Sequence, residues 1–319
     1  MKPRREFIRE LSGGLTATLA ASLTTRAASP KQTAKPIRIG IIGAENSHTV
    51  EYGQIFNRDR KFPDCEVIGV WGETPEFAKA AAEKGHIPLI VKDPAEFKGK
   101  IDALIVDHRH AKYHLEAARM FVEAGIPTFI DKPFCYRVSE GRAFLTMARA
   151  KKTPIGSFST VARGPAIDDL RDQFKALTGV QHIISSGHCD VTSPYGGVFF
   201  YGVHQVQRLM AVCGENVVRV RVAQKDGDAS ATLVFASGLQ ATLILAKGRP
   251  PFELAVVTDK GLQKLVAKVA DEQLAPYREI VHLFRDGKEP RSHESLLKEV
   301  AILEAMERSV TSDRWETVE

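Results

Sequence analysis

The sequence has little cysteine, no long apolar run and only a small excess of positive charge. Its four cysteines (Cys65, Cys135, Cys189 and Cys213) show no CxxC spacing, so a zinc-finger pattern is excluded and buried free thiols are expected. No stretch reaches the roughly 18 apolar residues that a membrane-spanning helix needs. Of the net charge of +5, the first 28 residues contribute three, because they hold five basic and two acidic side chains. The remaining charge is too weak to predict a nucleic-acid partner or an acidic membrane surface.

The most informative absence is that of two glycines. Residues 36–43 read as a buried first strand that ends at Gly43, and a dinucleotide-binding loop would continue with glycines two and five positions later. Those positions hold Glu45 and His48. The missing glycines normally let the backbone approach a diphosphate and let the following helix pack closely against the strand. The sequence therefore predicts a nucleotide-binding architecture with an altered loop.

The N-terminal residues have the order of a twin-arginine export signal. Arg4 and Arg5 precede a weakly apolar stretch from Leu11 to Thr25, and small residues follow at 27–29. We expect residues 1–28 to be a signal peptide, residues 29–35 to be a linker, and the protein to be exported to the periplasm. A basic tail is the alternative, and the sequence leaves open whether the signal is cleaved.

Two regions with different patterns follow the linker. Strands alternate with helices in residues 36–160, which indicates βαβ crossovers and a parallel sheet that includes Ile101–Asp107 and a short strand at Pro88–Val91. After residue 160, segments rich in β-formers alternate with turns. The predicted fold class is α/β: a doubly wound Rossmann domain (36–160) followed by a C-terminal α+β domain (161–319) with an open, mostly antiparallel sheet for substrate binding and oligomerisation.

Four landmarks together carry a resemblance to a known family. They are the strand-ending Gly43, the segment 114–125, the motif Asp131-Lys132-Pro133, and the segment 196–204 with its Gly196-Gly197 and Gly202-Val203-His204. Over residues 36–312 the chain resembles the glucose–fructose oxidoreductase / inositol dehydrogenase / rhizopine-catabolism (Gfo/Idh/MocA) family, which usually has Glu-Lys-Pro at the third landmark. The resemblance implies an NAD(P)-dependent oxidoreductase that acts on a sugar, a cyclitol-type polyol or a derivative, with its active site between the two domains.

The resemblance also implies two catalytic residues. Lys132 would contact the substrate hydroxyl and the nicotinamide, and burial in an apolar cleft would lower the pKa of such a lysine and let it share a proton. His204 would remove the hydroxyl proton, since imidazole titrates near neutrality. A surface salt-bridge lysine and a hydrogen-bonded core histidine are the alternatives. We also expect a cis bond between Lys132 and Pro133.

The sequence departs from the family pattern around the cofactor and the histidine. Phe200 and Gln207 stand where acidic residues usually flank the histidine. Gly72 aligns with the acidic residue expected to hold the adenosine ribose, and Glu73 lies one position later. The segment 107–110 reads Asp-His-Arg-His where the family has a Thr-Pro turn.

The remaining candidate site residues fall into two sets. At the cofactor we expect residues from strand ends and the first helix, namely Gly43, Asn46, Ser47, His48, Glu73, Arg109 and Asp131. At the substrate we expect cleft residues, namely Arg163, His188, Tyr195 and Tyr201. A histidine-rich set (His108, His110, His114, His188 and Asp190) invites a metal site, but its spacing is weak, and we expect no metal ion.

Two classes of function stay open at this stage. An exported oxidoreductase must hold NAD or NADP tightly, because the periplasm supplies no exchangeable nicotinamide pool; NAD-dependent glycoside cleavage is an alternative within this class. The other class is a redox-inactive relative that binds a carbohydrate or a protein, which the missing glycines, Gly72 and Phe200 favour. We expect a small sugar-like partner and a homo-oligomer, no nucleic acid, and no membrane contact beyond the export signal.

Overall fold

Five parallel strands form the first sheet of the computed structural model, which describes residues 35–319. The strands are β1 (Ile37–Ile42), β2 (Cys65–Trp71), β3 (Ala103–Val106), β4 (Thr128–Ile130) and β5 (Ile155–Gly156). They lie in the order β2-β1-β3-β4-β5. The carboxyl ends of β1, β3 and β4 are therefore neighbours at one edge, where doubly wound folds bind ligands. The predicted signal peptide lies outside the described residues.

Helices connect these strands as the alternating pattern predicted: α1 (His48–Gly53), α2 (Pro75–Gly85), α3 (His114–Glu123) and α4 (Val138–Lys151). The Thr74 hydroxyl caps α2 by accepting a hydrogen bond from the amide N–H of Phe77 at 3.3 Å. Helices α1 and α2 approach so closely that a Cβ on Gly53 would lie 2.3 Å from the carbonyl oxygen of Gly85. The last residue of α1 therefore has to be a glycine.

The predicted strand at Pro88–Val91 is wrong. Only Ile90 pairs with the sheet, through an isolated parallel bridge to Val70. The segment makes two backbone hydrogen bonds with Val70, through the carbonyl of Leu89 and the amide of Val91. Pro88 has no N–H to extend this ladder, so the segment only borders the edge strand β2.

Seven strands form the second sheet, which is mixed and mostly antiparallel, as expected. They are β6 (Val180–His188), β7 (Val217–Lys225), β8 (Asp228–Phe235), β9 (Gln240–Ala246), β10 (Glu253–Thr258), β11 (Gly261–Leu265) and β12 (Glu316–Thr317). Their order is β11-β10-β6-β9-β8-β7-β12, and β6 and β9 are the parallel pair. The helices α5 (Pro165–Lys175), α6 (Val198–Cys213) and α8 (His293–Ser312) pack against this sheet.

Helix α7 (Ala275–Asp286) was missed by the sequence analysis. Its apolar residues Tyr277, Ile280 and Leu283 belong to the same core cluster as Tyr52 of α1 and Phe129 of β4. The chain thus leaves the second sheet, covers part of the first sheet, and then returns through α8. Residues 35–319 form one compact unit in consequence. Within them, no helix is both long and apolar enough to cross a membrane.

Candidate active site

A buried polar network lies at the carboxyl ends of the parallel strands. Asp107 directly follows β3 and Asp131 directly follows β4, and both side chains are buried. The Nδ2 amide of Asn46 donates to Asp107 Oδ1 at 2.9 Å and to Asp131 Oδ2 at 3.1 Å. His48 Nδ1 lies 3.2 Å from Asp131 Oδ1. The loop and the start of α1 therefore supply the partners of both aspartates.

Lys132 forms a buried ion pair with its neighbour in the chain. Its Nζ lies 3.0 Å from Asp131 Oδ2, and the two side chains are only 6% and 3% exposed. The peptide bond between Lys132 and Pro133 is cis, as the sequence predicted. Burial opposes ionisation of Asp131, but the charges of Lys132 and His48 outweigh it and hold the pKa of this carboxyl below its ordinary value. Lys132 is therefore a buried residue at the carboxyl end of β4, in contrast to an exposed salt-bridge lysine.

Asp107 is a neutral acid beside the ionised Asp131. Thr49 Oγ1 lies 2.6 Å from Asp107 Oδ2 and 2.8 Å from the carbonyl oxygen of Gly43. One hydroxyl proton cannot serve both acceptors, whereas a protonated Asp107 can donate to Thr49, which then donates to Gly43. Burial and the neighbouring Asp131 carboxylate raise the pKa of Asp107 to about 8. The hydrogen-bond geometry and the electrostatics therefore agree.

His204 is buried and lacks a carboxylate partner among the described residues. Its Nδ1 lies 2.7 Å from Ser159 Oγ, and the Ser159 amide N–H donates to Gln207 Oε1 at 2.7 Å. Burial lowers the pKa of His204 well below its ordinary value, and the nearby charges of Lys132 and His48 act in the same direction. The imidazole is therefore neutral. Gln207, at a position where the resemblance implied an acidic residue, accepts this hydrogen bond from the serine that contacts His204.

The carboxylate of Glu73, which lies just after β2, binds the loop after β1. The amide N–H groups of Ala44 and Glu45 both donate to Glu73 Oε2, at 2.9 and 3.0 Å. The other oxygen of Glu73 is buried and has no hydrogen-bond partner among the described residues. Gly72 has no space for a side chain, because its Cβ would lie 2.8 Å from Ala44 Cβ and from the amide nitrogen of Ala78. A side chain is thus excluded at position 72, and the carboxylate of Glu73 lies one position later in the chain.

Glu45 points away from this loop and across the cleft. Its carboxylate accepts a hydrogen bond from the Tyr195 hydroxyl and lies 3.6 Å from Arg109 Nη1. Arg109 Nη1 also donates to the Tyr195 hydroxyl at 3.2 Å, and its guanidinium carbon lies 4.6 Å from the centroid of the Tyr195 ring. We call Glu45, Arg109 and Tyr195 the clasp, because they join the Rossmann strand ends to the loop before α6.

A row of aromatic rings connects the clasp with His204. Ring centroids are 4.9 Å apart between Tyr195 and Phe200 and 4.8 Å apart between Phe200 and Tyr201. Tyr201 lies 4.2 Å from the His188 ring and 5.3 Å from the His204 ring. Three of the four predicted substrate residues, Tyr195, Tyr201 and His188, therefore share one wall of the cleft.

The structure places two predicted residues away from this chemistry. Arg163 pairs with Glu279 and donates to the carbonyl oxygen of Pro290, so its guanidinium is engaged between the Rossmann domain and the C-terminal helices. The assignment of Arg163 to the substrate therefore stays a prediction that these contacts do not support. Ser47 is exposed and its side chain makes no capping hydrogen bond at α1. Its predicted place at the cofactor has no further support from these contacts.

The histidine-rich set is not assembled into a metal site. Both ring nitrogens of His114 face carbonyl oxygens, of Pro133 at 2.9 Å and of His108 at 2.8 Å. His188 bonds carbonyl oxygens after β9, and Asp190 bonds the hydroxyl and the amide of Thr192. These side chains are therefore already engaged in separate local contacts.

A different trio has the spacing of metal ligands. Candidate ligand atoms of His48, Asp107 and Asp131 all lie within 4.8 Å of one another, which holds for no other such group within residues 35–319. The carboxylate oxygens already contact hydrogen-bond partners from Asn46, Thr49 and Lys132. An ammonium beside these oxygens disfavours a cation among them, so the trio is part of the hydrogen-bonded network. Asp107 and Thr49 were not assigned by sequence, although an aspartate that ends a buried apolar run is a usable signal.

Comparison with known proteins agrees with this architecture. Residues 37–157 match the oxidoreductase family with an NAD-binding Rossmann fold, and no curated protein matches the sequence. An oxidoreductase from Thermotoga maritima is 16% identical, with a TM-score of 0.75 over 89% of this chain and 99% of that chain. Myo-inositol dehydrogenase from Lactobacillus casei, solved with NAD(H) and myo-inositol, is 14% identical, with a TM-score of 0.72 over 89% and 97%. GenD2 from gentamicin A biosynthesis, solved with NAD, is 13% identical, with a TM-score of 0.74 over 92% and 99%. At these identities the similarities establish a shared fold.

Proposed function

We propose that the chain is an NAD(P)-dependent oxidoreductase of the Gfo/Idh/MocA type, which oxidises a hydroxyl group of a sugar, a cyclitol or a related polyol. The observation that carries the proposal is the buried ion pair of Lys132 and Asp131 at the strand ends, in a cleft that also holds the neutral His204. A buried amine beside a carboxylate is unusual as a purely structural element, because the desolvation of two charges is costly. The family match of residues 37–157 supports the same reading.

The described residues fit a dinucleotide at the carboxyl edge of the sheet. Of the seven buried side-chain polar atoms that lack a hydrogen-bond partner among them, three belong to residues that follow β2 and β3, namely Glu73 Oε1, His108 Nδ1 and Arg109 Nε. An adenosine ribose would satisfy Glu73, since doubly wound folds use an acidic residue near the end of the second strand for ribose hydroxyls. Arg109 would lie near the diphosphate and Asn46 and Asp131 near the nicotinamide half. Glu45 does not add a free charge to this cleft, because Arg109 and Tyr195 already bind it.

In this proposal Lys132 handles the hydroxyl proton and His204 orients the hydroxyl. The bound nicotinamide supplies the chemistry of hydride acceptance. Lys132 Nζ binds the substrate oxygen and, as the amine, takes the hydroxyl proton when the carbonyl forms. His204 has no carboxylate partner among the described residues and a lowered pKa, so it serves better as a neutral hydrogen-bonding group held by Ser159 than as the final base.

The substrate class rests on the aromatic wall and on one structural neighbour. Stacked rings with interspersed hydroxyl and imidazole groups suit the apolar faces and the polar rim of a ring-shaped polyol. The Lactobacillus casei neighbour contains myo-inositol. We therefore propose that a cyclitol or a sugar lies against Tyr201 and His188, with its reacting carbon toward Lys132. We also propose that the protein retains its cofactor tightly beneath the clasp and is exported already folded by the twin-arginine route.

The experiment measures cofactor and substrate separately. Protein purified from cytosol is denatured and its supernatant is examined for nicotinamide absorbance and fluorescence; emptied protein is then titrated with NAD and with NADP. Turnover is followed with a panel that includes myo-inositol and glucose. Lys132→Gln is expected to bind cofactor but to lose turnover, whereas Lys84→Gln on α2 keeps both. A protein that binds neither nucleotide at millimolar concentration contradicts the proposal and favours a redox-inactive binding protein.

A further inference from the structure

We propose that His48, which stands where the dinucleotide-binding loop normally has its last glycine, relays protons between the buried Lys132–Asp131 pair and solvent. This inference rests on the oxidation proposed above. His48 acts through Asp131, so it is a positioning residue and not a group that touches the substrate.

The atoms form an unbroken line from the cleft to the surface. Lys132 Nζ lies 3.0 Å from Asp131 Oδ2. The other oxygen of the same carboxylate, Asp131 Oδ1, lies 3.2 Å from His48 Nδ1. The side chains of Lys132 and Asp131 are 6% and 3% exposed, whereas that of His48 is 27% exposed. A glycine at position 48 would end the line at a buried carboxylate.

The neighbouring groups leave His48 as the exit for a proton. His204 is buried and bonded to Ser159, and Asp107 is bonded to Thr49 and Asn46. Both side chains are less exposed to solvent than that of His48, which lies at the first turn of α1. Among the described residues, the hydrogen-bonded path from Lys132 to a partly exposed titratable group therefore runs through Asp131 to His48.

The proton balance of the cycle can be written with these groups alone. Alcohol oxidation releases one hydride, which a bound nicotinamide would accept, and one proton. The Lys132 ammonium first gives a proton to Asp131 Oδ2. The carboxyl group turns and passes this proton to Nδ1 of His48, which carries no hydrogen in the neutral Nε2–H tautomer and becomes an imidazolium. The Lys132 amine then takes the hydroxyl proton as the carbonyl forms, and His48 releases its proton to water. Each side chain ends in its starting state.

The charges around His48 suit this role. Asp131 and Lys132 face it from the end of β4, Asp107 from the end of β3, and His204 from α6. Burial lowers the pKa of His48 and Lys132 acts in the same direction, but Asp131 outweighs both and raises this pKa above its ordinary value. The Asp131 carboxylate therefore stabilises the imidazolium that the relay forms at His48.

The kinetic test uses two replacements of His48 and one control. His48→Gln keeps a hydrogen-bonding side chain without a titrating ring, and His48→Gly restores the usual loop residue and leaves room for free imidazole. With NAD and a polyol that the protein oxidises, we expect His48→Gln to lower kcat at pH 7 by about tenfold to a hundredfold. In His48→Gln the change of kcat with pH around neutrality should disappear. Added imidazole should restore the kcat of His48→Gly. His282→Gln, on an exposed face of α7, should change neither. Unchanged kcat and pH profile in His48→Gln overturn the relay.

An NMR titration tests the line without turnover. In labelled protein free of cofactor, the His48 ring pKa should fall in Asp131→Asn, which removes the stabilising carboxylate, and should rise in Lys132→Met, which removes a competing charge. A His48 pKa that neither variant moves overturns the relay even if the oxidoreductase proposal holds. Conversely, intact titration shifts together with bound NAD and no oxidation of any polyol would refute the proposed function and, with it, the relay.

Discussion

Replacement of Asp107 by asparagine tests the assignment of a neutral acid in the buried network. Asparagine has the shape of a protonated aspartic acid, and its amide can donate to Thr49 while its oxygen still accepts from Asn46. Burial and the Asp131 carboxylate raise the pKa of Asp107 to about 8 in the native state, whereas an aspartate in the unfolded chain has a pKa of about 4. Between these values the native state binds one more proton than the unfolded state. The free energy of unfolding of the wild type therefore falls as the pH rises.

The magnitude follows from the proton count. One proton changes the free energy of unfolding by about 1.4 kcal/mol per pH unit. Between pH 5 and pH 7 the wild type should thus lose about 3 kcal/mol relative to Asp107→Asn, which has no proton to release. At pH 7 the free energy of unfolding of Asp107→Asn should therefore approach or exceed that of the wild type.

Urea unfolding at pH 5, 6 and 7 measures this difference. Asp102→Asn is the matched control, because a hydrogen bond from Arg38 lowers the pKa of Asp102 and leaves this carboxyl ionised in both states over that range. Its difference from the wild type should be independent of pH. If the difference between wild type and Asp107→Asn is equally flat, native Asp107 is ionised and the hydrogen-bond assignment to Thr49 is wrong.

Three further predictions concern the cofactor cleft and the shared core. Glu73→Ala should weaken NAD binding about tenfold in a fluorescence titration, because it removes the ribose acceptor and frees two loop amides; unchanged affinity would place the ribose elsewhere. Glu45→Ala should speed NAD release about tenfold in stopped-flow displacement, since the clasp loses its carboxylate, and an equal release rate would exclude a retaining role. Leu283→Ala on α7 should lower the free energy of unfolding by about 2–5 kcal/mol, whereas the exposed Val266→Ala should have little effect; equal effects would mean that α7 does not stabilise the first sheet.

Patterns within a single segment predicted much of the fold. The apolar run 101–107 contains β3 and the aspartate that follows it. Thr74-Pro75 marked the start of α2, because helix capping depends on residues that are adjacent in sequence. The segment 88–91 was predicted as a strand, but only Ile90 pairs with the sheet. A short apolar segment has the same sequence pattern whether it forms one bridge or a full strand. Helix α7 was missed because its apolar stripe packs on strands more than a hundred residues away, and no local pattern reveals such a partner.

The candidate site was predicted where a motif supplied the residue. Lys132 and His204 came from the family resemblance, and both side chains are buried. His48 was expected at a phosphate, but its recorded partner is Asp131, a contact that depends on the order of strands in the sheet. Arg163 was assigned to the substrate, and its pairing with Glu279 depends on α7, a helix that no local sequence pattern revealed. Glu73 was treated as a weak substitute, and only the fold of the loop brings its carboxylate to the amides of Ala44 and Glu45.

The route of the chain through α7 limits how this protein can be divided. A fragment ending near residue 160 would leave Phe129 and Tyr52 without the Tyr277 and Leu283 side chains that cover them. Such a fragment would expose an apolar patch to solvent and would tend to aggregate. Exchange of catalytic halves between relatives, by recombination or by engineering, therefore has to carry α7 along with the nucleotide half, so that the transferable piece is discontinuous in sequence.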